Sequence, residues 1–219
     1  MRIWSVSDMH IHNDDRLTQI SEFLDRVDQH RPYILVLNGD IGDPWKTAWP
    51  NIVATQTWKR LDKTVDRRRS CNLKTIWIPE NHDWSAKPSY LPGAKIVRGR
   101  YDYGDITFMH GWQFDISWNL IHRFAFWLLK NYPKKAVRLY QWLYKNTPAT
   151  QKQGAFDEWN EHVGMVHFRA RRWAARNRRR LIIGHTHCPA PFDGLMCDGG
   201  DMEDSFTWVQ VDQDIVLRG

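Results

Sequence analysis

Residues 32–40 have the sequence Pro32-Tyr33-Ile34-Leu35-Val36-Leu37-Asn38-Gly39-Asp40. The apolar run from Ile34 to Leu37 is typical of a strand that is buried on both faces of a sheet. It is followed by Gly39, where the backbone can turn tightly, and then by the carboxylate of Asp40. A charged group at the end of a buried strand is costly unless a cation meets it there. A single aspartate of this kind could also cap a helix or lie in a loop, so the other strand ends decide its role.

Four other β-like segments also end in side chains that can bind metals. They are residues 2–6, followed by Asp8 and His10; 73–78, followed by Asn81 and His82; 106–109, followed by His110; and 181–184, followed by His185 and His187. Helical patterns at 15–30 and 49–69 separate the first strands, which predicts a layered α/β fold. Sheets of this class bind ligands beyond the carboxyl ends of their strands. We therefore expect these side chains to converge.

The residue types at the strand ends indicate which metals would bind. Mixed imidazole and oxygen ligands suit Mn, Fe, Zn or Co better than Ca or Mg, and no cysteine has ligand spacing. The eight side chains at these strand ends are more than one ion uses, whereas two ions that share a carboxylate would use seven of them. Such a pair clamps the attacking and leaving oxygens of a phosphoryl displacement. We expect two divalent cations, with Mn first and Fe, Zn, Co or Ni as alternatives.

The order of these motifs resembles that of the calcineurin-like metallophosphoesterases. The matching motifs are D-x-H at 8–10, G-D-x-x-D at 39–43, N-H-[DE] at 81–83, H-G at 110–111 and G-H-x-H at 184–187. The resemblance covers nearly the whole chain. It implies a single domain over residues 1–219 with a four-layer αββα sandwich fold. It also implies hydrolysis of a phosphomonoester, phosphodiester or pyrophosphate bond by a hydroxide that bridges two metals.

The same resemblance assigns a role to each residue. One metal would be held by Asp8, His10, Asp40 and His187, and the other by Asn81, His110, His185 and the shared Asp40. His82 would contact the phosphate and protonate the leaving group, and Asp43 would orient His82. Glu80 is a departure, because the family usually has glycine before Asn-His.

A helical cap insertion is predicted at about 115–180. Residues 118–129 are apolar almost all round, and 137–144 have the same character beside several basic residues. These aromatic residues could be buried as core. Alternatively, they could form a lid that takes a lipid chain or a nucleobase, or that rests on a membrane surface. A lid at this place is similar to that of the UDP-2,3-diacylglucosamine pyrophosphohydrolases, which usually have Asn-Arg-Asp where this chain has Asn-His-Asp at 81–83.

The last part of the predicted insertion, residues 169–180, contains seven arginines. Such a run is most often a solvated helix face, but it could hold a polyanion such as nucleic acid. In that case the protein would be a nuclease or an end-processing phosphatase. A third alternative, a non-catalytic metal-binding scaffold, predicts missing ligands, and here every ligand position is filled. The leading interpretation is a hydrolase that acts on a small-molecule or lipid-linked phosphate ester.

Composition limits the partners and the compartment. The net charge of +6 over 219 residues favours anionic partners. The three cysteines are too few and too scattered for a disulfide framework. A strand pattern begins at Arg2, which argues against a signal peptide, and no apolar stretch reaches transmembrane length. We therefore expect a cytoplasmic protein.

Overall fold

The computed structural model describes residues 1–115, 155–202 and 205–219, without the side chains of 155–161. The strands are β1 Ile3–Val6, β2 Ile34–Leu37, β3 Lys74–Trp77, β4 Lys95–Ile96, β5 Tyr101–Tyr103, β6 Ile106–Phe108, β7 Arg180–Ile183, β8 Met196–Asp198, β9 Trp208–Val211 and β10 Ile215–Arg218. The helices are α1 Leu17–His30, α2 Trp49–Ala54, α3 Gln56–Ser70 and α4 Ala155–Asn177, with 3₁₀ turns at Pro88–Tyr90 and Trp112–Phe114. Residues 116–154 of the predicted cap, including the aromatic stretches 118–129 and 137–144, lie outside the described residues.

The strands form two mixed sheets. The first has the order β10-β9-β1-β2-β3-β4, and the second has the order β5-β6-β7-β8. Strands β1 to β4 run parallel, while β9 pairs antiparallel with β1. In the second sheet β6, β7 and β8 run parallel. The strands that carry the predicted ligands therefore have their carboxyl ends on the same side of each sheet.

The side chains of β2 show how the layers are arranged. Leu35 and Leu37 pack in a core that includes residues of α1 and α3, such as Leu24 and Leu61. The alternate residues Ile34 and Val36 pack between the two sheets, against residues of β6 and β7. Every residue of β2 is buried, as expected for a strand with a core on both faces.

Helix α4 forms the outer layer on the second sheet. Its residues Val166, Ala170 and Ala174 pack against Leu181 of β7 and Met196 of β8. The order of layers is helices, sheet, sheet and helix, which confirms the predicted four-layer αββα sandwich. Part of the segment predicted as a cap thus belongs to this layer.

Two local predictions differ from the structure. The helix predicted at 49–69 is two helices, because Thr55 has an extended backbone and its hydroxyl accepts a hydrogen bond from the N–H of Trp58 at 3.1 Å. Threonine at a helix N-cap stabilises the start of the second helix in this way. Strand β8 was not predicted, because its three residues are too few to show an alternating pattern.

Four of the seven arginines in segment 169–180 contact other groups of the protein, and three are exposed to solvent. Within the protein, Arg169 donates to the Phe114 carbonyl, Arg171 pairs with Asp193, Arg179 donates to Thr107 and Arg180 pairs with Asp105. Arg172, Arg176 and Arg178 are exposed. Among the described residues, none of the helices has the length and apolar character that crossing a bilayer requires.

Candidate metal centre

The centre is built on two loops that extend β1 and β2 side by side. Val6 and Leu37 are the last paired residues of these parallel strands. Beyond them, the N–H of Asp8 donates to the carbonyl of Gly39 at 3.1 Å, and the N–H of His10 donates to the carbonyl of Asp40 at 2.9 Å. The two loops therefore continue the ladder and place Asp8 and His10 directly beside Asp40.

Two motif glycines allow the loops to approach one another. Gly39 has a φ of +88°, and a Cβ atom there would lie 2.4 Å from Cγ of His110. A Cβ atom on Gly184 would lie 2.2 Å from Oγ of Ser7 and 2.7 Å from a carboxylate oxygen of Asp8. Larger residues at these positions would separate the ligand-bearing loops.

Five of the predicted ligands adopt backbone conformations that non-glycine residues rarely use. They are Asp8, His10, Asp40, His185 and His187, with φ between 45° and 74°. Each such residue costs on the order of 1–3 kcal/mol and persists only where the surrounding structure determines it. These backbone conformations turn the five side chains towards common points.

Among the described residues, three groups of side chains could hold a metal, and two of these groups consist of predicted ligands alone. In one, potential ligand atoms of Asp8, His10 and His187 lie within 4.8 Å of one another, and in the other the same holds for Asp40, His110 and His185. In the first group, Nε2 of His187 lies 3.5 Å from Oδ1 of Asp8. In the second, Nε2 of His110 lies 3.1 Å from Oδ2 of Asp40. These are the two ligand sets that the motifs predict, apart from Asn81 and the sharing of Asp40.

Unpartnered atoms test whether a cation fits here. Oδ1 of Asp8, Nε2 of His10, Oδ1 of Asn81 and Nε2 of His110 are all buried without a hydrogen bond. The 3.1 Å contact between Nε2 of His110 and Oδ2 of Asp40 lacks the alignment of a hydrogen bond. Buried polar atoms are nearly always hydrogen-bonded, so four exceptions in one place need an explanation. Divalent cations would satisfy all four, because imidazole nitrogen and carboxylate or amide oxygen are their usual donors. The residues present fit such ions.

Hydrogen bonds fix which ring nitrogen of His110 and of His187 faces the centre. Nδ1 of His110 donates to the carbonyl of Asn38 at 2.9 Å, which leaves Nε2 for a cation. Nδ1 of His187 donates to the carboxylate of Asp201 at 2.7 Å, which also leaves Nε2. Partners of this kind commonly orient histidine ligands.

The buried carboxylates and His110 shift one another's pKa values, so that each favours the charged form of the other. Burial opposes ionisation of Asp8, but nearby His110 holds the pKa of its carboxyl below the usual range. Burial lowers the pKa of His110, yet the Asp40 and Asp8 carboxylates raise it to about 10. Positive charge at this point is therefore favoured, and a bound dication would take the place of the proton.

His82 and Asp43 form a pair beside the ligands. The backbone N–H of His82 donates to Oδ1 of Asp40 at 2.9 Å, and Nδ1 of the His82 ring lies 3.1 Å from Oδ1 of Asp43. Burial lowers the pKa of His82, but Asp40 and Asp43 raise it to about 9. A potential ligand atom of His82 also lies within 4.8 Å of those of His10 and Asp40. The imidazole can therefore hold a proton close to the metal ligands.

Asp83, the last residue of the N-H-[DE] motif, ties three segments together. Its carboxylate accepts hydrogen bonds from the N–H of Ile41 at 3.0 Å, from Nε1 of Trp77 at 2.8 Å and from the N–H of Glu80 at 2.6 Å. Glu80 is itself buried, and Nε1 of Trp112 donates to its carboxylate. The residue that departs from the family pattern thus links the loop after β3 to the loop after β6.

Sequence reasoning missed three aspartates around the centre. Asp201 holds His187, and Asp115 lies 3.4 Å from Nε2 of His185. Asp198 accepts a hydrogen bond at 2.7 Å from Thr186, the residue between these two histidines. The segment Asp198-Gly199-Gly200-Asp201 was an available signal, because carboxylates beside glycines at a strand end resemble the other site loops.

Comparison with solved structures finds distant likenesses. One is YfcE, a phosphoesterase from E. coli, with 15% identity over 98% of this chain and 90% of that chain and a TM-score of 0.49. Another is the nuclease MPE from Pseudomonas putida, with 20% identity over 49% of this chain and 53% of that chain and a TM-score of 0.39. Neither is close enough to carry an argument. No curated protein matches the chain.

Comparison with protein families gives a decisive result. The model of the calcineurin-like phosphoesterases matches residues 1–219, which is the whole chain. The match agrees with the motif order and with the two groups of ligand side chains. The chain therefore belongs to the calcineurin-like phosphoesterase family, and it is a metal-dependent phosphoester hydrolase.

Proposed function

We propose that the protein hydrolyses a phosphate ester or pyrophosphate with two divalent cations that share Asp40. One set of ligands is Asp8, His10, Asp40 and His187, and the other is Asp40, Asn81, His110 and His185. The observation that carries the proposal is the division of the four unpartnered buried atoms between these two sets. Mn is the first choice of metal, since both sets mix imidazole and oxygen.

The cations, when bound, would supply Lewis acidity at the phosphoryl group. The remaining chemistry belongs to side chains of this protein. Because Nδ1 of His82 is held by Asp43, its other nitrogen, Nε2, is free to carry a proton towards the substrate. As water attacks phosphorus and loses a proton to solvent, the bond to the leaving oxygen breaks and the proton on Nε2 passes to that oxygen; His82 then takes up a proton from solvent. Asp43 keeps the ring in this orientation.

Replacing Asp40 tests the proposal. Protein loaded with Mn is expected to hold two ions per chain, and Asp40→Ala should hold none and lose all measurable hydrolysis, because the imidazoles cannot keep two dications together without a bridging carboxylate. Elemental analysis gives the metal content, and a nitrophenyl ester gives the activity. Asp66→Ala removes an exposed aspartate from α3 and is the matched control, expected to bind two ions.

One metal per chain in the parent protein, unchanged in Asp40→Ala, would show that the site is mononuclear and that Asp40 is not a ligand. A melting curve of each variant ensures that loss of metal is measured on folded protein. The metals are exchanged in the folded protein by dialysis, first against a chelator and then against Mn.

A further inference from the structure

We infer that Trp45 and Lys46 form a subsite for the leaving group, and that this leaving group carries both a planar ring and a negative charge, as a nucleoside monophosphate does. The two residues follow Asp43 in the loop after β2. The inference rests on the proposed function, because it takes His82 as the acid beside the leaving oxygen. It adds to that function a class of substrate.

Trp45 is fixed beside the acid. Its indole ring lies 6.3 Å from the His82 ring, centroid to centroid, at an interplanar angle of 63°. Its Nε1 donates to the carbonyl of Asn81 at 3.3 Å, and its backbone N–H donates to Oδ1 of Asp43 at 3.2 Å. The side chain is nevertheless partly exposed. An aromatic ring that is held rigidly and remains partly open to solvent is well suited to contact a planar group.

Lys46 brings a cation to the same place. Its Nζ lies 3.5 Å from Oδ2 of Asp43, while 37% of its side chain is exposed. The other oxygen of Asp43 holds His82, so the ammonium group is one residue away from the acid. A lysine ammonium can move on its flexible stem to an anionic group without losing its charge.

The chemistry of the reaction explains why these two residues would meet the leaving group. When water attacks phosphorus in a P–O–P linkage, the bond to the bridging oxygen breaks, and that oxygen takes the proton of His82. The products are two phosphate monoesters, so the leaving group is itself an anion. Because it departs on the side of His82, it lies near Trp45 and Lys46. Its charge can pair with Lys46, and a nucleobase attached to it can stack on Trp45.

Three substrates separate the two contributions. P1,P2-diadenosine diphosphate has a leaving group with a ring and a phosphate, and P1,P2-dimethyl diphosphate has one with a phosphate but no ring. Bis(4-nitrophenyl) phosphate has one with a ring but no phosphate. The first two are symmetrical, so either direction of cleavage gives the same leaving group. For each variant, the measured quantity is the ratio of kcat/KM between two substrates, relative to the same ratio for the Mn-loaded parent protein.

Trp45→Ala is expected to lower the ratio of diadenosine to dimethyl diphosphate by about ten-fold, mainly through KM, because stacking on a base is lost. Trp45→Phe keeps a ring and should retain most of the ratio. The matched control is Trp173→Ala, which removes a partly buried tryptophan of α4 that packs against Phe114. Its ratio should equal that of the parent.

Lys46→Met keeps the length of the side chain and removes the charge. It is expected to lower kcat/KM for both diphosphates by about ten-fold relative to bis(4-nitrophenyl) phosphate. The matched control is Lys59→Met on the exposed surface of α3. Ratios within about two-fold of the parent for both Trp45→Ala and Lys46→Met would overturn the subsite. A parent that prefers dimethyl to diadenosine diphosphate, or that does not hydrolyse the latter, would also overturn it.

His82→Ala, measured with the same three substrates, shows whether the acid role of His82 or only the subsite fails. If it loses activity on the diphosphates but much less on bis(4-nitrophenyl) phosphate, the acid role stands, and unchanged Trp45 and Lys46 ratios then refute the subsite alone. If His82→Ala loses the same fraction on all three substrates, the acid role fails, and the inference built on it fails with it.

Discussion

The metal centre and the arginine-rich segment 169–180 are both dense in charge, and the structure treats them in opposite ways. In the centre, Asp8, Asp40 and His110 are buried, and atoms of Asp8 and His110 have no hydrogen-bond partner. In the arginine-rich segment, two charges pair with the surface carboxylates of Asp193 and Asp105, and two donate to Phe114 and Thr107. The other three arginines are exposed.

This contrast indicates that a site of chemistry is marked by side chains that converge in the fold, not by the density of charge along the sequence. Each ligand is one or two residues at the end of a strand, and it becomes significant only when other strands bring similar residues to the same point. Burying these charges costs free energy that the folded protein must offset elsewhere. Solvated arginines cost almost nothing, so their presence says little about function. Three further predictions test this comparison.

The largest expected effect is that of His82→Ala, which keeps the proposed metal ligands and removes only the proposed acid. The variant should retain two metals and lose about 10²- to 10⁴-fold in kcat for an ester with a poor leaving group. With nitrophenolate, which leaves without a proton, the loss should be much smaller. His30→Ala, at the exposed end of α1, is the control and should match the parent on both substrates. Loss of metal from His82→Ala would instead make His82 a ligand.

A smaller effect is expected for Asp201→Asn. Because the N–H of Ser205 donates to Oδ1 of Asp201, the new amide nitrogen would occupy the position of Oδ2, where it would donate to Nδ1 of His187. His187 would then carry its proton on Nε2 and could not ligate through that atom. We expect a loss of about 10- to 100-fold in affinity for Mn, measured by titration of the metal-free protein.

Asp193→Asn is the matched control for Asp201→Asn, since it changes an aspartate that pairs with Arg171 away from the metal ligands. Its affinity for Mn should equal that of the parent. Equal affinities in all three proteins would mean that Asp201 does not set the tautomer of His187. The buried metal centre would then depend on its direct ligands alone.

The smallest effect is expected where charge is densest. Replacing Arg172, Arg176 and Arg178 with Gln should change the free energy of unfolding by no more than about 0.5 kcal/mol, because these side chains are exposed. Hydrolysis of a small nitrophenyl ester should be unchanged. Chemical denaturation and a standard assay check both expectations.

The same triple variant also asks whether the segment binds nucleic acid. A matched control replaces Lys59, Arg67 and Arg69 of α3 and removes the same amount of positive charge. Retention of both variants on single-stranded DNA is measured against salt concentration. If only the variant in 169–180 loses retention, the segment is a binding surface for nucleic acid, and its exposed arginines are functional although they do not converge with other charged groups.

Much of the fold and most of the candidate site follow from local sequence. The run from Ile34 to Leu37 predicted a strand between two cores, and its alternate residues do face different layers. The ligand motifs were readable because each consists of neighbouring residues at a strand end. Asp115 could not be recognised in this way, because it lies 70 residues from His185 and only the folded chain brings the two together. Likewise, Thr55 interrupts a helical pattern through one hydroxyl, which periodicity does not detect.

The pairing of β1 has a consequence for the order in which the chain folds during synthesis. Strand β1 lies between β2 and β9, and the N–H of His185 donates to the carboxylate of Asp8, 177 residues earlier. On the ribosome, β1 and β2 emerge first, but β1 keeps one open edge until β9 has been made. Contacts so distant along the chain form slowly, because the loops that join them must close first. We therefore expect the metals to enter only after the segments that carry His185 and β9 have been synthesised.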